Sequence, residues 1–186
     1  MKIEFVNMPK GTGRFTFVLR YWANMMRSWY IFNVKFPWVK YHGFVRVMHG
    51  TRFAKRSISI GHKVQFGPNC NIASDAVFGN NILLAGSVAL VGKYDHSIDC
   101  AGVTIWDSPR GDDQPTIIED DVWIGHGVIV IGGVTISRGS VVAAGSIVTK
   151  SIPPCEVWAG NPARRIKNRF EKEADREKHL TYLKSK

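Results

Sequence analysis

Large apolar residues recur at every sixth position through the middle of this chain. Stepping from Ile60 meets Phe66, Ile72, Phe78, Leu84 and Leu90; restarting at Ile118 meets Ile124, Val130, Ile136, Val142 and Val148. With 45% of residues apolar, twelve such hits would arise by chance on the order of once in ten thousand. Four residues after each beat the side chains are mostly small or β-branched, among them Val64, Cys70, Ala76, Val88, Val122, Val128 and Val134. Three residues after each beat Gly, Asn and Asp dominate, as at Asn69, Asp75, Asn81, Asp121, Gly127, Gly133, Gly139 and Gly145. Those types tolerate a left-handed backbone best, so that position reads as a turn. A helix advances about 600° over six residues, and its apolar stripe would wander around the axis. A flat strand would alternate with period two throughout. A short strand followed by a corner, repeated every six residues, satisfies all three positions.

Such a unit resembles the hexapeptide repeat of β-solenoids. Three units make a triangular coil with the beat residue pointing inward, so twelve units predict four coils in two blocks of two. At about 4.8 Å per coil the prism is roughly 20 Å tall, plus an irregular coil from residues 44 to 59. The expected fold is an all-β solenoid, a parallel β-helix of about four to five coils. Its open ends need capping. Residues 14 to 40, RFTFVLRYWANMMRSWYIFNVKFPWVK, are rich in aromatics and Met but broken by Arg14, Arg20, Arg27 and Lys35, leaving no 18-residue apolar span. They read as an amphipathic cap on one end, with contact at a membrane interface as the sharper alternative. The charged, helix-forming tail from Asn168 to Lys186 folds beside the other end. The organisation is then a capping segment at 1–43, the β-helix at 44–168 with an external loop at 97–115, and a helical tail at 169–186. The Ile152–Pro153–Pro154 run is expected to end the last coil, since proline cannot continue a ladder. Cys70 falls at an inward slot and belongs to the core.

The beat breaks at GKYDHSIDCAG, residues 92–102. Leu90 is the last inward residue before the break, and His96 occupies the slot where the next inward apolar residue should stand. The chain carries 25 basic and 15 acidic residues for a net charge of +10, which favours an anionic partner. No motif supports nucleic-acid binding. Cys70, Cys100 and Cys155 form no CxxC pair; an odd count at wide spacing suits reduced thiols in the cytoplasm.

The segment VWIGHGVIVIGGVTISRGSVVAAGSIVTKSIPPCEVWAGNPARRIK strongly resembles the C-terminal half of hexapeptide-repeat acyltransferases. It is most similar to the galactoside, maltose and xenobiotic acetyltransferases and the O-acetyltransferases of bacterial surface polysaccharides, over about residues 58 to 168. The resemblance implies a left-handed helix, a homotrimer with active sites in clefts between subunits, acetyl-CoA as co-substrate, a sugar or glycan acceptor and no metal. It makes His96 the general base that takes the acceptor proton, a task that suits imidazole at neutral pH. Direct attack needs no acyl-enzyme and no nucleophilic side chain. Asp95, Asp99, Asp107 or a backbone carbonyl would orient the ring. His126 is the rival base, but its slot in the family pattern directs a backbone N–H at the thioester region. By the same ungapped match Ala144, Thr149 and Lys150 line the coenzyme groove, and Arg164 and Lys167 reach the nucleotide phosphates. The family often has arginine where this chain has Lys167, and Arg165 is available as a substitute. Trp123 either walls the acyl or acceptor pocket or packs under the loop. Asn71, on a coil corner, and Asp95 are candidates for touching the acceptor, and His62 sits on an outer face.

The leading expectation is therefore an acetyl-CoA-dependent O-acetyltransferase acting on a sugar hydroxyl in the cytoplasm, peripheral at the inner membrane face. Its alternatives are transfer to an amino group or a xenobiotic, and an inactive scaffold. A zinc hydratase on the same helix would need two closely spaced histidines, and His42, His49, His62, His96, His126 and His179 include no such pair.

Overall fold

Most of the turn positions adopt the left-handed backbone expected of them, though Asp75 does not. Lys63, Asn69, Asn81, Ser87 and Asp121 all have φ of 58–59°, and glycine fills the position at 127, 133, 139 and 145 with φ of 67–78°. Each such corner releases a short strand onto the next face of a prism. The computed structural model describes Phe5, residues 8–112 and residues 114–185. Residues 1–4, 6 and 7 of the expected cap, position 113 of the expected loop and Lys186 of the tail lie outside the described residues.

Helix α1 (Arg14–Tyr30) runs into a π-helical turn, Ile31–Lys35, and then the coils begin. The first coil is β1 (Val39–Tyr41), β2 (Val45–Val47) and β3 (Arg52–Phe53); the second is β4 (Ile58–Ile60), β5 (Val64–Phe66) and β6 (Asn71–Ile72). The third is β7 (Ala76–Phe78), β8 (Leu83–Leu84) and β9 (Ala89–Val91). After the loop come β10 (Thr116–Ile118), β11 (Trp123–Ile124) and β12 (Ile129–Ile131), then β13 (Thr135–Ile136), β14 (Val141–Val142) and β15 (Ile147–Val148). A sixth turn is begun by a parallel bridge between Ile136 and Ile152 and by β16 (Glu156–Gly160), which pairs antiparallel with β17 (Ala163–Asn168). Helix α2 (Glu173–Lys184) follows. Coil-to-coil pairing is parallel, and every third strand joins the same face. The first face orders β1-β4-β7-β10-β13, the second β17-β16-β14-β11-β8-β5-β2 and the third β15-β12-β9-β6-β3.

All twelve beat residues are buried, none more than 2% exposed. Cys70 is buried with them, as expected. The prism has about six turns rather than four to five. One reason is a phase slip: Tyr41, Val47 and Phe53 keep the six-residue beat and pair with Ile60, Phe66 and Ile72. However, seven residues separate Phe53 from Ile60, so stepping back from Ile60 misses the first coil. The β-helix thus begins at Val39 and not at residue 44. At the other end Ile152–Pro154 does not stop the ladder. The two prolines occupy a corner, where no ladder donor is required, and Val157 and Trp158 rejoin the second face opposite Val141 and Val142.

The ends are closed by different devices. Phe32, on the π-helical turn, is buried and meets Tyr41 at 4.8 Å and Phe53 at 5.5 Å between ring centroids. The column continues through Phe53, Phe66 and Phe78 with centroid spacings of 5.2 Å. An aromatic plug therefore seals the N-terminal end, and α1 lies outside β2, its Tyr21 stacked on Phe44 at 4.7 Å. The far end is closed by the β16–β17 hairpin, with Trp158 packed on the core. Helix α2 lies instead beside the corner at Asp121, whose carboxylate takes both Arg169 (2.5 Å) and His179 (2.8 Å).

Candidate active site

After Val91 the chain leaves the prism and returns at Thr116. Strand β10 pairs directly with β7, Ile118 opposite Phe78, so the excursion adds no rung. The inward slot expected for His96 is consequently filled by Ile118, and His96 stands in the loop. The loop is wider than 97–115 because its base is tied before residue 97: the Gly111 N–H donates to Tyr94 O at 2.9 Å, and the Ser97 N–H to Pro109 O at 2.9 Å. Between those ties His96 is half-buried, and its Nδ1 is a buried polar atom without a hydrogen-bond partner among the described residues. Of the three aspartates considered for orienting it, Asp99 and Asp107 are engaged elsewhere. Asp99 accepts from the Ser97 hydroxyl (2.5 Å), a bond that holds its carboxyl below the usual carboxylate range. Asp107 accepts from Thr104 Oγ1 at 2.7 Å. Asp95 faces a cleft.

That cleft, of about 260 Å³, lies where the loop leaves the third coil. It is lined by Arg56, Asp75, Tyr94, Asp95, Arg110 and Asp112. Asp75 is partly committed, its Oδ1 accepting the Ser57 N–H at 2.7 Å. Two guanidinium groups, carboxylates and a phenol in one small concavity suit a ligand with many hydroxyls or an anionic group. Asp95 is the only one of these that sequence reasoning singled out. The signal for Arg56 and Arg110 was present as KR at 55–56 and PRGDD at 109–113, but no periodicity places loop residues against the second coil.

The six coenzyme candidates are spread over the fourth to last turns of the prism. His126 and Ala144 occupy successive levels of the corner between the second and third faces, joined by Gly145 N–H donating to His126 O at 2.8 Å. Gly127, Gly125 and Gly145 donate the ladder bonds there, and among the described residues none is donated by the His126 or Ala144 N–H. The His126 side chain is exposed and lies over Gly86, where an added Cβ would meet its Nδ1 at 3.2 Å. Thr149 and Lys150 sit at the opposite end of β15, on the next corner. Arg164 and Lys167 are on exposed β17, opposite Ala159 and Val157. A thin, amide-bearing arm with phosphates at one end fits a corner with undonated N–H groups leading toward cations. Arg165 is not free to substitute for Lys167: it pairs with Glu156 at 3.2 Å and donates to Asn168 at 2.6 Å.

Within one chain the acceptor candidates are not brought together. Asn71 is on strand β6 rather than a corner, exposed on the third face. Trp123 is on β11, exposed on the second face beside Leu83, and is not packed under the loop. His62 is structural: its Nδ1 accepts the Phe44 N–H at 3.1 Å. Among the described residues no group of three His, Cys, Asp or Glu is placed to hold a metal ion.

Residues 115–150 match the family model described as bacterial transferase hexapeptide (six repeats). The chain is 36% identical over 132 residues to the galactoside O-acetyltransferase of Escherichia coli K12, covering 68% of this chain and 59% of that one. It is 49% identical over 70 residues to a 2,3,4,5-tetrahydropyridine-2,6-dicarboxylate N-acetyltransferase of Clostridium perfringens, covering 38% and 30%. The crystal structure of AntD, an N-acyltransferase from Bacillus cereus, superposes with a TM-score of 0.57 at 18% identity, covering 81% of this chain and 82% of that one. The chain spans less than two thirds of the length of these curated relatives.

Proposed function

From the match of residues 115–150 to the bacterial transferase hexapeptide model we propose that this chain moves the acetyl group of acetyl-CoA to a hydroxyl of a sugar or polysaccharide precursor. The observation that carries this reading is the loop at the break in the repeat. It holds His96 half-buried, next in sequence to Asp95, which lines a cleft of mixed charge, in a chain 36% identical over 132 residues to a galactoside O-acetyltransferase. His96 acts as general base: as the acceptor oxygen attacks the thioester carbonyl, its proton passes to the imidazole, the C–S bond breaks and coenzyme A leaves as the thiol. The N–H groups of His126 and Ala144 face the arm and the developing oxyanion, and Arg164 and Lys167 hold the phosphates, with Thr149 and Lys150 along the groove. Asp95 belongs to the acceptor cleft with Arg56 and Arg110.

The acting unit is a homotrimer. His96 and the His126–Ala144 corner lie on different edges of one prism, so a neighbouring copy is needed to bring base and coenzyme together. Exposed apolar side chains support this, with Trp106 on the loop 87% exposed and Leu83 beside Trp123 on the second face. Trp123 then walls the acceptor cleft from the neighbouring copy, and Asn71 reaches it from the third face.

Transfer to an amino group is the second reading, favoured by the 49% identity to an N-acetyltransferase over the repeat. Incubating the chain with acetyl-CoA and matched hydroxyl and amino sugars, while following release of the coenzyme thiol, separates the two. The proposal expects release with the hydroxyl sugars or their polymers. Release confined to amino sugars would transfer the chain to the second reading, and no coenzyme binding by calorimetry would leave an inactive scaffold.

A further inference from the structure

Helix α1 presents an apolar stripe that nothing among the described residues covers. Phe15, Leu19, Trp22, Met26 and Trp29 follow one another at spacings of four and three, which puts them on one face of a helix. They are between 53% and 76% exposed. The other face does the packing: Ser28 is buried with its hydroxyl donating to Val45 O, and Tyr21 stacks on Phe44. The stripe is therefore not a core face displaced outward but a second apolar surface on a helix already docked.

Its electrostatic setting is one-sided. From residue 5 to residue 74 the sequence contains eleven Lys or Arg and no Asp or Glu; all fifteen acidic residues lie outside that stretch. The described residues of this stretch include α1, the aromatic plug and the first two coils, at the N-terminal end of the prism. Arg14, Arg20 and Arg27 are on α1 itself. No helix among the described residues is long and apolar enough to cross a membrane.

We infer that this end of the molecule docks on a bilayer surface carrying anionic lipid, with α1 lying in the interfacial plane. Exposed Trp, Phe and Met beside arginines, on a helix that itself carries no carboxylate, match a region where hydrocarbon meets negative headgroups. The four-three spacing would equally suit a helical seam with a second copy. That arrangement would press two strongly basic ends together, whereas a negatively charged surface relieves the same charge. The inference does not depend on the acetyl-transfer reading, because its readout is binding.

The test is co-sedimentation of the full chain with vesicles of phosphatidylcholine alone and of phosphatidylcholine with roughly one third phosphatidylglycerol. Partitioning is expected to be at least about tenfold stronger on the anionic vesicles and to weaken sharply as salt is raised. The Trp22→Ser, Trp29→Ser double variant should lose about tenfold of that partitioning with unchanged circular dichroism. A Phe15→Ser, Met26→Ser variant on the same stripe should behave alike, so the test survives misfolding of the first. Equal binding to neutral vesicles, or full binding by both variants, would overturn the inference. So would a wild-type oligomer that the variants dissolve in the absence of vesicle binding, which would assign the stripe to a second copy. Pelleting that nuclease treatment abolishes would assign the basic end to nucleic acid.

Discussion

Cys70 and Cys155 are buried in the prism, while Cys100 is half-exposed in the loop. Burial pushes the Cys70 and Cys155 thiols above their ordinary value of 9.0, because the thiolate would lose its hydration. An exposed-thiol reagent at neutral pH should therefore modify one cysteine of the native chain quickly, and a Cys100→Ser variant should remove that fast equivalent. The same shift has a stability consequence. Below pH 9 the thiol is protonated whether the chain is folded or not, and its contribution is fully present. As pH rises above about 9 the unfolded chain loses that proton first, so stability falls toward the raised folded value. The denaturation midpoint should drop over that window, and less in Cys70→Ala than in wild type. His96 belongs to the same scale. Its residue type and place at the break were legible in the sequence, yet its slot was not, since the return of Ile118 to the ladder depends on a pairing between strands 40 residues apart.

At the level of strands and corners, one edge carries a ladder of side chains. Asp120 Oδ1 accepts the Asn80 N–H at 2.6 Å, Asn80 Oδ1 accepts the His62 N–H at 2.8 Å, and His62 Nδ1 accepts the Phe44 N–H. Each satisfies a backbone donor of the coil before it, at an exposed corner. Replacing Asn80 with Ala should cost about 1 kcal/mol. Phe66→Ala removes a ring from the axial aromatic column and should cost about 3–5 kcal/mol. Paired urea titrations check both, and a loss at Asn80 equal to that at Phe66 would mean the corners, not the core, hold the coils. The beat and its turn positions were readable in the sequence because each hexad repeats one local solution. The first coil was not, since a single extra residue between Phe53 and Ile60 shifts the phase without changing the fold. The last turn was hidden because Pro153 and Pro154 look like a stop until the corner that accommodates them is seen.

Across the whole molecule, the features divide along the prism axis. The strongly basic end with its aromatic helix lies at the first coils, the loop and its charged cleft at the third, and the proposed coenzyme corner, with Arg164 and Lys167, along the fourth to last turns. If the proposals above hold, this order sets the end proposed to meet the bilayer apart from the proposed coenzyme corner, with the cleft between, an arrangement suited to an acceptor held near a bilayer. Residues such as Arg56 and Arg110 escaped sequence reasoning because only the folded loop sets them against one another. The most direct test of the account is coenzyme release during transfer to the best acceptor, compared between wild type and His96→Ala, with His126→Ala alongside. The account predicts a loss of about a hundredfold or more for His96→Ala, with unchanged coenzyme affinity and thermal midpoint, and near wild-type turnover for His126→Ala. Undiminished transfer by His96→Ala, or its loss in His126→Ala alone, would contradict it.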